Sequence, residues 1–197
     1  MLIADMGADV LRIESPSRPD LVRLMEPQIG GQSAAFEYLN RGKRSLAMNL
    51  KNAKCLDIIH SLLADYDIVV EQFRPGVMSR LGLGYEQLSK INPAVIYCSI
   101  TGYGQSGPYR DRAGHDINYL ALSGISASSG KKSVGPLLTG VQIADVAGGS
   151  QPAVMAILAA VIQRSRTGKG QHIDIAMSDQ CMALQPLIQI NTVVMAR

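Results

Sequence analysis

Tryptophan is absent from this sequence of 197 residues, and cysteine occurs only three times. Three scattered cysteines without CxxC spacing argue against a disulfide scaffold and against a structural zinc site, so we expect no metal. Aromatic residues make up 5%, which leaves few rings to stack on bases, and the net charge of +3 is too small for a general polyanion binder. We therefore expect no nucleic-acid partner.

Long uncharged apolar runs are also missing. The closest candidate, residues 153–163, has the length of a core helix, whereas a membrane span needs about 20 residues. The N-terminus has neither the charged start nor the long apolar core of a signal peptide. These absences predict a cytoplasmic protein without a membrane partner.

Short apolar runs alternate with stretches of helical periodicity, and 47% of the residues are hydrophobic, which is enough for a packed core. Strands separated by helices predict an α/β fold with an open, largely parallel, Rossmann-like sheet flanked by helices. Residues 126–135 are predicted to form a polar loop. The predicted strands are residues 10–13, 45–50, 67–70, 94–100 and 171–176, and the predicted helices are residues 53–64, 78–80, 85–90, 116–122, 145–166 and 177 onward.

The two ends of the sequence are unusual for an α/β domain. Residues 1–8 have a helical pattern, although such domains usually open with a strand. The amphipathic stretch at residues 176–197 stops without a capping signal. We therefore expect that the chain is a fragment and that a strand is missing upstream.

Five cations cluster around the second predicted strand: Arg41, Lys43, Arg44, Lys51 and Lys54. Such a cluster suits contacts with phosphate groups. The simpler alternative is a solvated loop rim without a ligand.

Arg74 is a second candidate for an anion contact. It follows a predicted buried strand, and α/β sheets bind ligands at the carboxyl ends of parallel strands. The alternative is an ordinary strand-to-helix turn with Pro75 at the first helical position. Gly82 and Gly84 do not complete a GxGxxG motif, and residues 102–107 lack the Lys-Ser/Thr ending of a phosphate-binding loop. We therefore expect no nicotinamide cofactor.

The segment with the strongest chemical signal begins at His115, after a Gly- and Pro-rich loop and at the start of a predicted helix. Histidine is the side chain that most often serves as a general acid or base, so His115 is a candidate for acid–base chemistry. Asp145 opens the long predicted helix, and the amides near Gly148 and Gly149 are candidates to hold a developing oxyanion. The simpler alternatives are a histidine that bonds its own loop and an aspartate that only caps its helix.

Six segments together resemble the family of family III CoA-transferases and α-methylacyl-CoA racemases. They are residues 2–14 (LIADMGADVLRIE), 41–51 (RGKRSLAMNLK), 71–84 (EQFRPGVMSRLGLG), 92–107 (NPAVIYCSITGYGQSG), 113–124 (AGHDINYLALSG) and 167–179 (TGKGQHIDIAMSD). The resemblance implies an acyl-CoA substrate and a CoA-binding α/β large domain over residues 1–197. It also implies a second domain beyond this chain and an interlocked homodimer.

Residues 114–119 (GHDINY) are typical of racemase-like members of that family. The resemblance implies that His115 and Asp145 are two bases, which remove the α-proton of a 2-methylacyl thioester and return a proton to the other face through an enolate. The alternative that it implies is a CoA-transferase, in which an aspartate attacks the acyl-CoA and forms a mixed anhydride and then an enzyme–CoA thioester. Asp179 matches that nucleophile.

The resemblance also assigns contacts to coenzyme A. Lys51, Arg74 and Arg80 are the implied phosphate partners. Ser15 occupies a position where racemase-like relatives can have an arginine, so Arg12 or Arg18 is expected to substitute. The other implied contacts are Met48, Asn49, Leu50, Gln72, Phe73, Gly114, Asp116, Ile117, Asn118 and Tyr119.

Overall fold

The computed structural model describes residues 1–195, which divide into two compact units, Met1–Ser61 and the chain from Leu62 onward. Each unit contains parallel strands connected by helices, so the predicted α/β class is confirmed. The parallel strands form a two-stranded sheet in the first unit and a three-stranded sheet in the second, where the sequence predicted one sheet.

In the first unit, β1 and β4 pair in parallel, with Val10 opposite Lys43. The hairpin of β2 and β3 turns at Gly30 and Gly31, whose φ angles of 60° and 81° suit a two-residue turn that only glycine adopts easily. The bounds are α1 Leu2–Asp5, β1 Val10–Glu14, a 3-10 turn Leu21–Leu24, β2 Gln28–Ile29, β3 Gln32–Ser33, α2 Ala34–Asn40, β4 Lys43–Ala47 and α3 Ala53–Leu62. The strand predicted at residues 45–50 therefore lies slightly earlier in the chain.

The second unit has more helix than strand. Its bounds are β5 Ile68–Glu71, α4 Val77–Arg80, α5 Tyr85–Ile91, β6 Ile96–Thr101, α6 Asp116–Ser123, α7 Ile125–Ser128, α8 Ile143–Asp145, a π turn Val146–Ser150, α9 Gln151–Thr167, β7 Gln171–Ala176, α10 Met177–Ala183 and α11 Pro186–Met195. The segment predicted as a polar loop at residues 126–135 begins inside α7, and the last two residues of the predicted C-terminal helix lie outside the described part.

The core of the second unit is built around β6, the middle strand of the parallel order β5-β6-β7. Ile96, Cys98 and Ser99 on this strand are almost completely buried. A strand covered on both faces needs a nearly continuous apolar run, which is why the sequence predicted it well. Helix α9 contacts β6 and β7 and contributes the buried Ile157 and Ala160 to this core.

The long helix begins earlier than predicted. Asp145 was expected as its N-cap, but the first helical residue is Ile143, and Asp145 has helical backbone angles. Helix, π turn and helix then continue to Thr167, where Gly168 ends the helix with a φ of 70°. This prediction is wrong because the amide of Asp145 is capped by a residue from another helix, as described below.

The continuous helical segment Ile143–Thr167 is long and apolar enough to cross a membrane, and an 18-residue window within it has a mean hydropathy of 1.5. This is weak evidence, because core helices of soluble proteins pass the same criterion. Pro152, Ala153, Ile157 and Ala160 on this segment are buried inside the protein. Through these residues α9 packs on the strands of the second unit.

Gly170 provides a test of the packing between the end of α9 and β6. A Cβ atom at this position would lie 1.9 Å from the carbonyl oxygen of Val95. We expect Gly170→Ala to lower the free energy of unfolding by about 3 kcal/mol, because the backbone must move to relieve the overlap. Urea unfolding followed by circular dichroism measures the change.

The matched control is Gly140→Ala. A Cβ at Gly140 would meet no atom within 4 Å, so this variant is expected to unfold at the same urea concentration as the wild type. Equal stability of the two variants would contradict the packing described here.

Candidate active site

The candidate residues of the second unit lie mainly where its parallel strands end. β5 leads into Gln72, Phe73 and Arg74, and β7 leads into α10, whose first turn holds Asp179. The carboxyl ends of parallel strands lie at one edge of a sheet, the usual ligand-binding edge in α/β folds. Gln72, Phe73 and Arg74 are all exposed there.

The turn after β5 is held by a buried carboxylate. Glu71 is only 6% exposed, and its Oε2 accepts a hydrogen bond of 2.8 Å from the amide of Phe73. Burial raises the pKa of Glu71, and a hydrogen bond from Ser99 partly opposes this shift. Glu71 was not among the predicted site residues, although it fixes the loop that carries three of them.

Arg74 and Arg80 lie close to the same turn. Gly76, which follows Arg74 in this turn, has a φ of 78°. A Cβ at Gly76 would lie 3.2 Å from Nη1 of Arg80, and the guanidinium of Arg80 therefore lies against the turn. Within residues 1–195, neither arginine forms an ion pair. Both side chains are exposed and available for an anion.

Most of the predicted basic cluster in the first unit has partners within the protein. Arg41 forms two hydrogen bonds with Asp5, of 3.0 and 2.6 Å. Arg44 forms two with Asp9, of 3.1 and 2.5 Å, and Lys43 donates to Asn40. Acidic and amide side chains of the same unit therefore bind these three cations, and their contact with a phosphate stays a prediction.

The predicted contacts at the end of β4 have mixed exposure. Met48 is buried and donates its amide to the carbonyl of Glu14. Leu50 is half-buried, whereas Lys51 is exposed and follows a turn in which its amide donates to Oδ1 of Asn49. Lys51 thus remains the phosphate candidate of the first unit.

Arg12, one of the two expected substitutes at Ser15, is also engaged. It pairs with Glu14 at 3.2 Å and with Asp20 at 2.7 Å, and its guanidinium lies 5.0 Å from the ring centroid of Phe36. Arg18 is exposed and remains the better candidate for an anion contact.

His115 occupies the N-cap position of α6, and its amide donates a 2.9 Å hydrogen bond to Oδ1 of Asn118. Helix α6 begins here because this bond satisfies an amide in its first turn. The His115 residue is exposed, so its imidazole is accessible to a ligand. Asn118 therefore acts in the structure as the capping partner of His115, and Ile117 beside it is exposed.

Asp145 is joined to α6 through Asp116. The amide of Asp145 donates to Oδ1 of Asp116 at 3.0 Å. Although part of Asp145 is open to solvent, burial raises the pKa of its carboxyl, the nearby charge of Asp116 raises it further, and His115 lowers it. The structure thus places His115, Asp116 and Asp145 within electrostatic reach of one another.

The side chain of Tyr119 is buried and packs against neighbouring loop residues. Its ring is 5% exposed and packs edge-to-face on Tyr103 at a centroid distance of 5.2 Å. A Cβ at Gly102 or Gly114 would lie 2.4 or 2.7 Å from this ring, so both glycines make room for it. Tyr119 supports the loop before His115, and its contact with coenzyme A stays a prediction.

Gly148 and Gly149 also serve packing. Both are buried, and a Cβ at Gly148 would lie 3.0 Å from Sγ of Cys181, while one at Gly149 would lie 3.2 Å from the side chain of Met177. These glycines therefore permit close contact with α10, and the oxyanion role of their amides stays a prediction.

Asp179 lines a separate cavity of about 380 Å³, together with Tyr103, Ser106 and Asp174. Its Oδ1 accepts a 3.1 Å hydrogen bond from the hydroxyl of Ser178. Asp174 accepts the amide of Gln105 at 2.9 Å and so anchors the glycine-rich loop over the end of β7. Sequence reasoning missed Asp174, because its partner lies 69 positions away.

Comparison with known proteins places these residues in a family. The sequence matches CoA-transferase family III over residues 1–196. The chain belongs to this family. Its fold agrees closely with a solved CAIB/BAIF family protein from Brucella suis, with a TM-score of 0.91, 38% identity, and coverage of 99% of this chain and 52% of that one.

Relatives in CoA-transferase family III have two different activities. Over 88% of this chain, the sequence is 43% identical to human succinyl-CoA:glutarate CoA-transferase, of which it covers 40%. Over 90% of the chain it is 42% identical to human alpha-methylacyl-CoA racemase, of which it covers 43%. The chain thus spans about half the length of these relatives or less.

The pKa of Asp145 can be tested with Asp116→Asn. The amide oxygen of asparagine can still accept the Asp145 amide, while the negative charge disappears. We expect the pKa of Asp145 to fall, yet to stay above the ordinary aspartate value because burial remains. A pH titration of the aspartate carboxyl carbons by ¹³C NMR measures the shift.

Asp111→Asn is the matched control, since its side chain is 82% exposed and pairs with Arg110. This change is expected to leave the Asp145 titration unaltered. An unchanged or higher pKa of Asp145 in Asp116→Asn would contradict the described coupling.

Proposed function

We propose that this protein acts on acyl-CoA thioesters and epimerises 2-methylacyl-CoA by proton transfer between His115 and Asp145. The observation that carries this proposal is the link through Asp116, which ties Asp145 to the helix that begins at His115. The 42% identity with human alpha-methylacyl-CoA racemase also supports it.

The chemistry needs an acid–base group on each face of the α-carbon. One group removes the α-proton, an enolate forms, and the other group delivers a proton to the opposite face. Asp145 suits this task because its raised pKa brings the carboxyl closer to neutral pH than an ordinary aspartate. His115 suits it because a neutral imidazole accepts a proton and an imidazolium donates one.

Coenzyme A would be held through its phosphates. Arg74 and Arg80 are exposed around one turn, and arginine binds phosphate oxygens through its planar fork of donors. Lys51 stays a predicted phosphate contact of the first unit. Gln72 and Phe73, beside Arg74, offer an amide and an aromatic face to the rest of the nucleotide.

The second candidate function is CoA transfer between an acyl-CoA and a free carboxylate. Its supporting observation is Asp179, an exposed carboxylate at the carboxyl end of β7 in a cavity of about 380 Å³. In this reaction a carboxylate oxygen bonds to the thioester carbon, the carbon–sulfur bond breaks and CoA thiolate leaves. Asp145 is a second carboxylate that could perform the same attack.

Deuterium exchange distinguishes the two functions. With 2-methylacyl-CoA in deuterated water, we expect the protein to introduce deuterium at the α-carbon, detected by mass spectrometry. His115→Ala and Asp145→Asn are each expected to slow this exchange by about 100-fold or more, because each removes one acid–base group. Asp179→Asn serves as the control and is expected to retain exchange.

Hydroxylamine tests the transferase alternative. A trapped hydroxamate on the protein, together with no α-deuterium, would overturn the racemase proposal. Mass spectrometry of the peptide then locates the nucleophile at Asp179 or at Asp145. The division into a large and a second domain, the interlocked homodimer and the cytoplasmic location stay predictions.

A further inference from the structure

A groove of about 420 Å³ adjoins His115 and is separate from the cavity at Asp179. Its floor comes from α6 and α7, and its other side comes from residues 136–142. His115 and Asp116 lie at one end, and Ala121, Leu137 and Leu138 are among the apolar side chains. We name this cavity the α6 groove.

The described residues that line the α6 groove are mainly apolar and include no basic side chain. Aliphatic side chains make up most of its lining, and among the described lining residues the titratable ones are His115 and Asp116. None of the described residues that line it is Lys or Arg. Lys131 and Lys132 lie in the turn between its two sides, and neither lines it.

We propose that the α6 groove binds the acyl tail of the CoA thioester and selects uncharged, apolar tails over tails that end in a carboxylate. This inference rests on the proposed function, since it places the reacting α-carbon at His115. A tail that extends from His115 enters the groove directly, because the histidine forms part of its lining.

Two physical effects give this selectivity. Each methylene removed from water against aliphatic side chains strengthens binding by about 4-fold. A terminal carboxylate would lose its hydration in the groove, where none of the described lining residues is a Lys or Arg to replace it. The groove therefore favours a medium-length aliphatic acyl group over a dicarboxylic one.

Calorimetry with non-reacting ligands tests the groove without requiring turnover. We expect octanoyl-CoA to bind more tightly than acetyl-CoA, with a gain of about 4-fold for each of the first few methylenes. Octanoyl-CoA is also expected to bind about 10-fold or more tightly than the eight-carbon thioester with a terminal carboxylate. Equal affinities for all three thioesters would overturn the proposal.

Ala121→Phe fills the groove from α6, where residue 121 is exposed. This variant is expected to lose most of the gain for octanoyl-CoA while it binds acetyl-CoA within about 2-fold of the wild type. Ala127→Phe is the matched control, because Ala127 is exposed on α7 and does not line the groove. It is expected to behave as the wild type.

The outcomes separate this inference from the proposed function. If octanoyl-CoA is preferred but no α-proton exchange occurs, the racemase proposal fails and the groove assignment holds. If exchange occurs but Ala121→Phe leaves the preference for octanoyl-CoA intact, the groove assignment fails. That second result would mean that the tail binds elsewhere.

Discussion

The hydrogen bond from the Asp145 amide to the Asp116 carboxylate determines how the candidate active site is assembled. An amide in the first turn of a helix lacks a partner within that helix, and here the partner comes from α6. The bond joins the start of the long helical segment to the start of α6, where His115 lies. The carboxylate of Asp116 therefore caps the start of the long helical segment, and it is also a negative charge that raises the pKa of Asp145.

β6 and α3 were predictable from the sequence because each follows a local pattern. β6 is covered on both faces, so its sequence is a continuous apolar run, and α3 shows a helical stripe. The start of the long helix was not predictable in this way. Its cap lies 29 positions away in the sequence, and no local motif reveals a cap that arrives from a separate helix.

The ion-pair partners of the basic cluster were also not predictable from local sequence, for a related reason. Arg41 and Arg44 form part of a basic run in the sequence, but their carboxylate partners are about 35 positions away. Arg74 and Arg80 do not form a basic run in the sequence. Within residues 1–195, however, neither has a carboxylate partner, so both are available to bind an anion. A cation's availability for a ligand depends on the tertiary contacts that compete for it, which local sequence does not encode.

The helical segment that begins at Ile143 contains a π turn at Val146–Ser150, between Asp145 and α9. A π turn holds one residue more than the α-helical turn that it replaces. Because the extra residue is taken up within the turn, its removal would restore an α-helical turn and leave Asp145 on nearly the same side of the helix axis. A residue inserted or removed between this turn and Ile157 has no such relief and would rotate Asp145 by about 100° relative to the buried face of α9.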